Sequence, residues 1–271
     1  MLNDTKKIIE ILAENGFDSY FVGGCVRDMI MKRAMTDIDI TTAALPDDIM
    51  RVFPQENIYA VPTGLEHGTV TVVYNGLNVE VTTFRKDVST DGRRSTVEFG
   101  TSLEEDLLRR DFTMNAIAYC PQDDVFIDPF GGRADIRRNT IRAVGVPIDR
   151  FREDYLRMLR AHRFESVLEF VIEGATWEAL VSAASEEWCK VISVERIREE
   201  INKCFKTADK PSIMFEGMRK SDLLQHILPE LLQCYGFEQN RYHEYNLYDH
   251  TLRTVDGVPK ERHLVRWSAL L

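Results

Sequence analysis

The sequence predicts an α+β fold, with a mixed sheet and its helices in the first half and helices alone in the second. Polar and apolar residues alternate over residues 36–41, which is typical of a strand with one buried face. Asn75-Gly76 separates two apolar stretches and is a strong signal for a tight hairpin. Beyond Val146-Pro147 the strand signals stop, and apolar residues recur with helical spacing. At 271 residues the chain is long enough for two or more domains.

The first half is predicted to alternate short helices and strands. After a first helix that ends at Gly16, the predicted order is a strand at 20–22, a Gly23-Gly24 turn, a helix at 26–30, a strand at 37–41, a helix at 46–52, and hairpin strands at 70–74 and 77–84. Residues 86–96 are polar and contain Asp91-Gly92, so we expect a mobile loop there. Acidic residues from position 104 onward favour a further helix over residues 103–115.

The second half is predicted to contain helices without strands. Helical periodicity covers residues 152–168, 177–185, 194–205 and 223–232, with breaks at Pro211 and Pro229. Ser193 can cap the helix that follows it, and the charges of this helix pair three and four residues apart. We interpret that helix as a rigid support without chemistry of its own.

Charge and composition exclude several classes of protein. The formal net charge of −10 argues against a uniformly basic nucleic-acid-binding protein, but nine arginines against four acids between Arg133 and Arg163 form a basic stretch. Surface ion pairs are the alternative explanation, although arginine rather than lysine favours phosphate or base contacts. The absence of a long apolar run and of a signal-peptide pattern predicts a cytoplasmic protein without membrane contact. Five scattered cysteines predict reduced, structural thiols.

Asp37 and Asp39 are the candidate metal ligands. On a strand both carboxylates point to one face, and together they make a hard oxygen site that suits Mg²⁺. Such a pair also occurs as a turn cap or in solvent, which is the alternative. If Glu80 lies on an adjacent strand and faces the same way, three carboxylates converge, as two-metal phosphoryl transfer requires. An exposed strand glutamate is the alternative for Glu80.

Polar residues at two other places suit a nucleotide. The Gly23-Gly24 turn lets a ligand approach the backbone, and free N–H groups at the following helix start attract phosphate. Arg110 can bind a triphosphate through two parallel hydrogen bonds. Asp111 and Asn115 are four residues apart, so they can support each other or hold a sugar hydroxyl. A surface ion-pair cluster is the alternative for this segment.

Asp154, Arg157, Arg160 and Arg163 recur every three residues along the predicted helix. An Asp–Arg pair with this spacing usually only stabilises a helix. It can also imitate a base-pairing edge, because a carboxylate accepts from the exocyclic amino group of C or A and a guanidinium donates to ring nitrogens or carbonyls. Uracil lacks that amino group and would leave Asp154 unpaired. The pattern therefore suggests selection of C and A over U.

Four motifs occur in a fixed order along the chain. They are Gly23-Gly24-x-Val26-Arg27-Asp28, Asp37-x-Asp39, Arg109-Arg110-Asp111-Phe112-Thr113-x-Asn115-Ala116, and Glu153-Asp154-x-x-Arg157-x-x-Arg160-Ala161-x-Arg163-Phe164. With these motifs, residues 18–206 resemble the class II tRNA nucleotidyltransferases, the family of CCA-adding enzymes and bacterial poly(A) polymerases. The resemblance implies a polymerase-beta-like nucleotidyltransferase head at residues 1–146, a nucleotide-selecting helical neck at 147–208 and a partial, tRNA-binding helical body at 209–271.

The resemblance also implies roles for individual residues. Asp37 and Asp39 would bind Mg²⁺. The Gly23-Gly24 turn, together with Arg27 and Arg110, would contact the triphosphate or the sugar. Asp154 with Arg157 would select the base, and Arg160 and Arg163 would complete the nucleotide pocket. The 3′-terminal hydroxyl of tRNA would attack the α-phosphate of CTP or ATP and release pyrophosphate. Residues 86–96 would be the flexible loop required to switch from C to A. Nothing in the sequence indicates a protein partner.

Two departures from the family pattern occur. Lys32 stands where the family usually has glycine, close before Asp37. Residues 263–271 resemble a helix that leads into a His-Asp phosphohydrolase-like body, so we expect a C-terminally truncated chain. A poly(A) polymerase, a CC- or A-adding enzyme, and a non-catalytic RNA-binding protein on the same fold are the alternatives. A pyrophosphohydrolase would need the His-Asp element.

Overall fold

A seven-stranded mixed sheet is the centre of the first half of the chain in the computed structural model. The structure describes residues 2–35, 37–56, 58–90, 92, 95–186, 188, 191–240 and 242–271. Contacts divide the chain into two units. The first contains residues up to Thr90 with Ser95–Arg138 and Arg142–Gly145, and the second contains Gly92, Asn139–Ile141 and Val146–Leu271.

The strands of the first unit lie in the order β3-β4-β5-β2-β1-β8-β9. These strands are β1 (Ser19–Val22), β2 (Asp39–Thr42), β3 (Tyr59–Gly64), β4 (Thr69–Tyr74), β5 (Leu77–Thr83), β8 (Ala118–Cys120) and β9 (Val125–Ile127). The β2–β5 pair is parallel, and the other neighbouring pairs are antiparallel. The helices of this unit are α1 (Leu2–Glu14), α2 (Gly24–Ile30), α3 (Pro46–Val52), α4 (Leu103–Leu108) and α5 (Gly132–Arg137). The predicted mixed sheet with helices is therefore confirmed.

Local sequence signals account for the hairpin between β4 and β5. Asn75 (φ 49°) and Gly76 (φ 77°) both adopt the left-handed conformation that a two-residue hairpin turn requires. In β5, Val79 and Val81 are buried while Glu80 between them is exposed, so the apolar face of the strand is turned to the core. The turn and the alternation together set the register that places Glu80.

The expected loop at residues 86–96 is wrong for most of its length. The chain there forms a separate two-stranded hairpin of β6 (Arg85–Thr90) and β7 (Ser95–Phe99). Lys86 pairs with Glu98 in register, and their side chains form an ion pair of 3.2 Å. A polar segment can form strands when its side chains meet solvent or form ion pairs, as Lys86 does with Glu98 and Asp87 does with Arg109, and polarity alone suggested a loop. Positions 91, 93 and 94 lie outside the described residues, as does Thr36 of the alternating segment 36–41.

The helix predicted over residues 103–115 is shorter than expected. Ser102 and Glu105 form a capping box that starts α4, which ends at Leu108. Beyond it the Asp111 carboxylate accepts a hydrogen bond from the Phe112 amide at 2.7 Å, and the chain resumes as a short 3-10 helix over Thr113–Asn115. A side chain that bonds the backbone locally replaces the helical hydrogen bond and ends the helix.

The second unit is mainly helical. Its elements are β10 (Thr140–Ile141), α6 (Pro147–Glu153), α7 (Leu156–Leu168), β11 (Val171–Ile172), α8 (Gly174–Ala184), α9 (Val194–Thr207), α10 (Ser212–Lys220), α11 (Leu224–Ile227), α12 (Pro229–Gln233), α13 (Leu247–Gly257) and α14 (His263–Leu270). The pair β10–β11 is parallel, so the prediction that strands stop at position 146 is wrong. The periodicity also missed α10 and α13. No helix of the described residues is long and apolar enough to cross a membrane.

The cysteines of the described residues are free thiols. Cys25 and Cys204 are buried, whereas Cys120 and Cys234 are partly exposed, and Cys189 lies outside the described residues. Cys25 lies at the start of α2, where its sulfur is 3.2 Å from the Val22 carbonyl and 3.9 Å from the Asp39 carbonyl. This thiol is thus close to one of the predicted metal ligands.

Candidate active site

Three carboxylates line one cavity in the first unit. Asp39 is the first residue of β2, and Glu80 is its register partner on the parallel strand β5. Residues paired in this way point to the same side of a sheet, so Glu80 meets the condition set for a third carboxylate, although its side chain is also exposed. Asp37 is exposed and precedes the strand, which begins two residues later than expected. Asp37, Asp39 and Glu80 all line a cavity of about 790 Å³.

The charges in this cavity act on Asp39. Burial raises the pKa of the Asp39 carboxyl, Arg110 opposes the rise, and Glu80 and Asp37 add to it. A raised pKa means that the negative charge on Asp39 is under-compensated by the protein. A divalent cation would supply the missing compensation.

The donor set fits a divalent metal bound by two protein ligands. Among the described residues, no group of three His, Cys, Asp or Glu side chains is arranged to hold one metal ion. Mg²⁺ commonly uses only one or two protein carboxylates and completes its shell with water and phosphate oxygens. Asp37 and Asp39 fit that pattern, with Glu80 as an additional negative charge in the same cavity.

The glycine turn lies against Arg110. Gly23 has φ 79°, and a methyl group built on it would lie 3.1 Å from Arg110 Nη1 and 3.8 Å from Asp39 Oδ2. A side chain at position 23 would therefore crowd Arg110 and come into contact with Asp39. Within the described part of the chain, no atom accepts a hydrogen bond from the buried Nε of Arg110. The Nε–H of Arg110 thus has donor capacity that the described residues do not use.

Asp106 is a functional candidate that the sequence analysis did not single out. It is 1% exposed, and its carboxylate accepts hydrogen bonds from Arg110 Nη2 at 3.1 Å and from the Thr41 hydroxyl at 3.3 Å. The backbone amide of Arg85 donates to the other oxygen at 3.4 Å. Asp106 therefore fixes Arg110 relative to β2. The sequence shows only a third acid in the first turn of a helix, which usually indicates solvent exposure.

The structure joins Arg27, Asn115 and Asp111 in one buried chain of hydrogen bonds. Arg27 Nη1 donates to Asn115 Oδ1 at 2.8 Å, and Asn115 Nδ2 donates to Asp111 Oδ1 at 3.0 Å. Asp28 accepts from Arg27 Nε at 3.0 Å. A methyl group on Gly24 would lie 3.6 Å from Arg27 Nη2, so the second glycine of the turn lies next to these hydrogen-bonded side chains. The mutual support expected of Asp111 and Asn115 is present, although no continuous helix connects them.

In the second unit, Asp154 lies outside any helix. It has extended backbone angles (φ −152°, ψ 101°) between α6 and α7, so the single helix predicted over 152–168 is wrong at this point. The Asp154 carboxylate accepts a hydrogen bond from the Leu156 amide at 3.1 Å, which interrupts the helical pattern. Its ion-pair partner is Arg196 of α9, with 2.9 Å between Arg196 Nη2 and Asp154 Oδ2.

The three arginines of α7 contact acids on two elements. Arg157 is 9% exposed, and its Nη1 donates to Glu153 Oε2 at 2.8 Å. Arg163 Nε donates to Glu200 Oε2 at 2.6 Å, and Arg160 Nη1 lies 3.9 Å from Glu200 Oε1. Burial alone would raise the pKa of Glu200, but Arg163, Arg160 and Lys203 outweigh it and lower that pKa. Sequence spacing does not reveal that α9 supplies Glu200 as the partner of Arg163 and Arg160.

Comparison with known proteins shows which families and proteins the chain is similar to. A family model described as "Poly A polymerase head domain" matches residues 19–142, and one described as "Probable RNA and SrmB- binding site of polymerase A" matches residues 169–234. A CCA-adding enzyme of Lactobacillus delbrueckii subsp. bulgaricus is 48% identical over 198 residues, which are 72% of this chain and 48% of that protein. The chain thus spans about half the length of the curated relatives it matches.

Two solved structures have the same fold. The Bacillus stearothermophilus CCA-adding enzyme in complex with CTP is 37% identical with a TM-score of 0.78, over 98% of this chain and 66% of that one. A tRNA nucleotidyltransferase complexed with a primer tRNA and an incoming ATP analog is 30% identical with a TM-score of 0.71, over 97% of this chain and 69% of that one. The chain belongs to the class II tRNA nucleotidyltransferase and poly(A) polymerase family.

Proposed function

We propose that the protein adds C, C and A to the 3′ end of tRNA, taking the nucleotides from CTP and ATP without a template. The observation that carries the proposal is the cavity lined by Asp37, Asp39 and Glu80, with the guanidinium of Arg110 close to Asp39 at the Gly23 turn. Relatives named CCA-adding enzymes support it, as do the solved structures with CTP and with primer tRNA. We further propose that the protein acts in the cytoplasm, where tRNA, CTP and ATP occur together.

In the proposed reaction, the terminal ribose hydroxyl of the RNA attacks the α-phosphorus of the nucleotide. A bond forms between the hydroxyl oxygen and the α-phosphorus, the bond to the oxygen that bridges to the β-phosphorus breaks, and pyrophosphate leaves. A carboxylate takes the hydroxyl proton. Glu80 is the candidate for this step because it is in register with Asp39 in the same cavity and is not one of the two proposed metal ligands.

Asp37 and Asp39 would hold Mg²⁺ in this proposal. When bound, the ion would polarise the α-phosphate and neutralise charge that develops on the leaving pyrophosphate. Arg110 would donate to triphosphate oxygens, and Asp106 would hold the Arg110 guanidinium in orientation. The Gly23-Gly24 turn would leave the space that the phosphates need, while Arg27, Asp111 and Asn115 would fix the sugar through their connected hydrogen bonds.

Asp154, Arg157, Arg160 and Arg163 would select the nucleotide base. The Asp154 carboxylate would accept from the amino group of cytosine or adenine, and Arg157 would donate to the ring acceptors. Arg160 and Arg163 would complete the pocket. The ion pairs with Arg196 and Glu200 support this role, since a selecting edge must be held in a fixed orientation.

Incubation of the protein with tRNA that lacks its 3′ end tests the proposal. The reaction contains Mg²⁺ and CTP, ATP or both, and product length is measured on a gel. The proposed activity predicts addition of C-C with CTP alone and C-C-A with both nucleotides. A long A tail would indicate poly(A) polymerase. With both nucleotides present, a product that stops after C-C, or one that gains only A, would indicate a CC- or A-adding enzyme, and no extension would favour the non-catalytic alternative.

A pair of variants tests whether the carboxylate cavity performs the reaction. Asp37→Asn removes one proposed metal ligand and is expected to abolish extension while the protein remains folded. Asp47→Asn removes an exposed acid from the first turn of α3 and is expected to retain full activity. Equal activity of both variants would contradict the assignment of the cavity.

A further inference from the structure

One face of α9 carries two charged side chains that contact the proposed base-selecting residues. Arg196 forms the 2.9 Å ion pair with Asp154, and Glu200 pairs with Arg163 and lies near Arg160. Positions 196 and 200 are four residues apart, so both side chains project from the same face of the helix. The helix that the sequence identified only as a support thus contacts groups of both signs.

The orientation of the Asp154 carboxylate depends on hydrogen bonds from other residues. Its extended φ and ψ angles place it between two helices, and no helical turn confines its side chain. One carboxylate oxygen accepts from the Leu156 amide and the other from Arg196 Nη2. Two donors on different oxygens fix the rotation of the carboxylate, and each oxygen still has a second lone pair with which to accept.

We propose that Arg196 is a positioning residue for nucleotide selection, which holds Asp154 as an oriented hydrogen-bond acceptor for the amino group of cytosine or adenine. The inference rests on the proposed function, because it adds a residue to the base-selecting site assigned there. Without Arg196 the Asp154 carboxylate rotates more freely and is solvated by water. It then distinguishes less well between a base that offers an amino group and uracil, which offers a carbonyl.

Arg196 is a better test position than Glu200. The Glu200 side chain is 1% exposed among Arg163, Arg160 and Lys203, and its removal would leave buried charge uncompensated. The Arg196 side chain is 28% exposed, so water can fill its place. Arg198 is exposed on the same helix and provides a matched control.

The experiment measures the dissociation constants of CTP and UTP by calorimetry, without primer. The wild type is expected to prefer CTP, and Arg196→Gln is expected to reduce the ratio of the two constants roughly tenfold, the effect of losing one charge-assisted hydrogen bond. Arg198→Gln is expected to keep the wild-type ratio. If Arg196→Gln melts at a lower temperature than the wild type, the same ratio is measured for Arg196→Met, which keeps the aliphatic part of the side chain and still lacks the charge.

A double-mutant cycle separates positioning from a direct contact with the base. If Arg196 acts through Asp154, then Arg196→Gln has no further effect on the ratio in an Asp154→Ala background. An unchanged ratio in the single variant, fully additive effects in the cycle, or a wild type without preference would each overturn the inference.

The binding measurement requires no turnover. A chain that binds CTP selectively but extends no tRNA would refute the proposed transfer and still decide the role of Arg196.

Discussion

Asp39 and Glu80 are direct partners in the parallel ladder between β2 and β5. The sheet register therefore brings two negative side chains to one side of adjacent strands, although like charges in such positions repel. Burial raises the pKa of Asp39, and Glu80 adds to the rise. A protein that needed only stability would replace one of the two acids. The arrangement is favourable when a cation binds there.

The pH dependence of the reaction is expected to report on this pair. Because the pKa of Asp39 is raised, its carboxylate becomes protonated at a higher pH than an ordinary aspartate, and activity that needs the ionised form falls below that pH. Glu80→Gln removes one cause of the rise, so the acid limb of kcat/KM is expected to move to lower pH while the maximal rate falls. Glu66→Gln, at an exposed position, should move neither. A shift of the acid limb to higher pH would contradict the coupling.

Asp106→Asn is expected to weaken nucleotide binding without a change of any group in the carboxylate cavity. The variant keeps the side-chain shape but loses the charge that orients Arg110, so KM for CTP should rise. The loss of a buried charged hydrogen bond is also expected to lower the free energy of unfolding by about 1–3 kcal/mol. Steady-state kinetics and urea unfolding measure the two effects. Glu104→Gln, at an exposed position of the same helix, should change neither.

Gly23→Ala tests the close approach between the turn and Arg110. Gly23 (φ 79°, ψ −136°) and Gly100 (φ 76°) both have a positive φ, so alanine at either position is expected to lower stability by at least about 1–2 kcal/mol, and by more at Gly23 because its ψ lies outside the left-handed helical region. Only at Gly23 does the added methyl group lie 3.1 Å from Arg110 Nη1, whereas nothing lies within 4 Å at Gly100. Calorimetry should therefore show weaker CTP binding for Gly23→Ala alone. Equal binding by the two variants would show that Arg110 moves aside freely.

Glu200 is expected to make part of the stability depend on pH. Its pKa is lowered in the folded protein, so its contribution is fully present above the pKa of an unfolded glutamate and is lost as pH falls through the lowered value. Urea unfolding of the wild type should show this loss as the pH is lowered from above the ordinary glutamate pKa of about 4.3 through the lowered value. Glu200→Gln should be less stable at neutral pH and should lose less over that interval. Glu199→Gln, exposed on the same helix, should follow the wild-type curve.

Features that depend on local chemistry could be predicted from the sequence. The Asn75-Gly76 turn needs two residues that tolerate positive φ, and Pro46 begins a helix because its fixed φ suits the first turn. The alternation in β5 identified the side of the strand on which Glu80 lies. Each of these signals acts within a few residues.

Features that depend on distant partners could not be predicted. The burial of Asp106 follows from its contact with Thr41, which is 65 positions away along the chain. Arg196 is 42 positions from Asp154 along the chain, and only the packing of α9 brings the two together. A single sequence contains no measure of such pairings.

The position of Cys25 has a practical consequence for chemical labelling. Burial raises the pKa of its thiol, so the sulfur stays protonated at neutral pH and reacts slowly with maleimides. Cys204 is protected in the same way, since burial raises its pKa to about 11. Among the cysteines of the described residues, Cys120 and Cys234 are partly exposed and are expected to react with a dye before the two buried thiols. A fluorophore can therefore be attached at either position while the sulfur next to Asp39 stays unmodified.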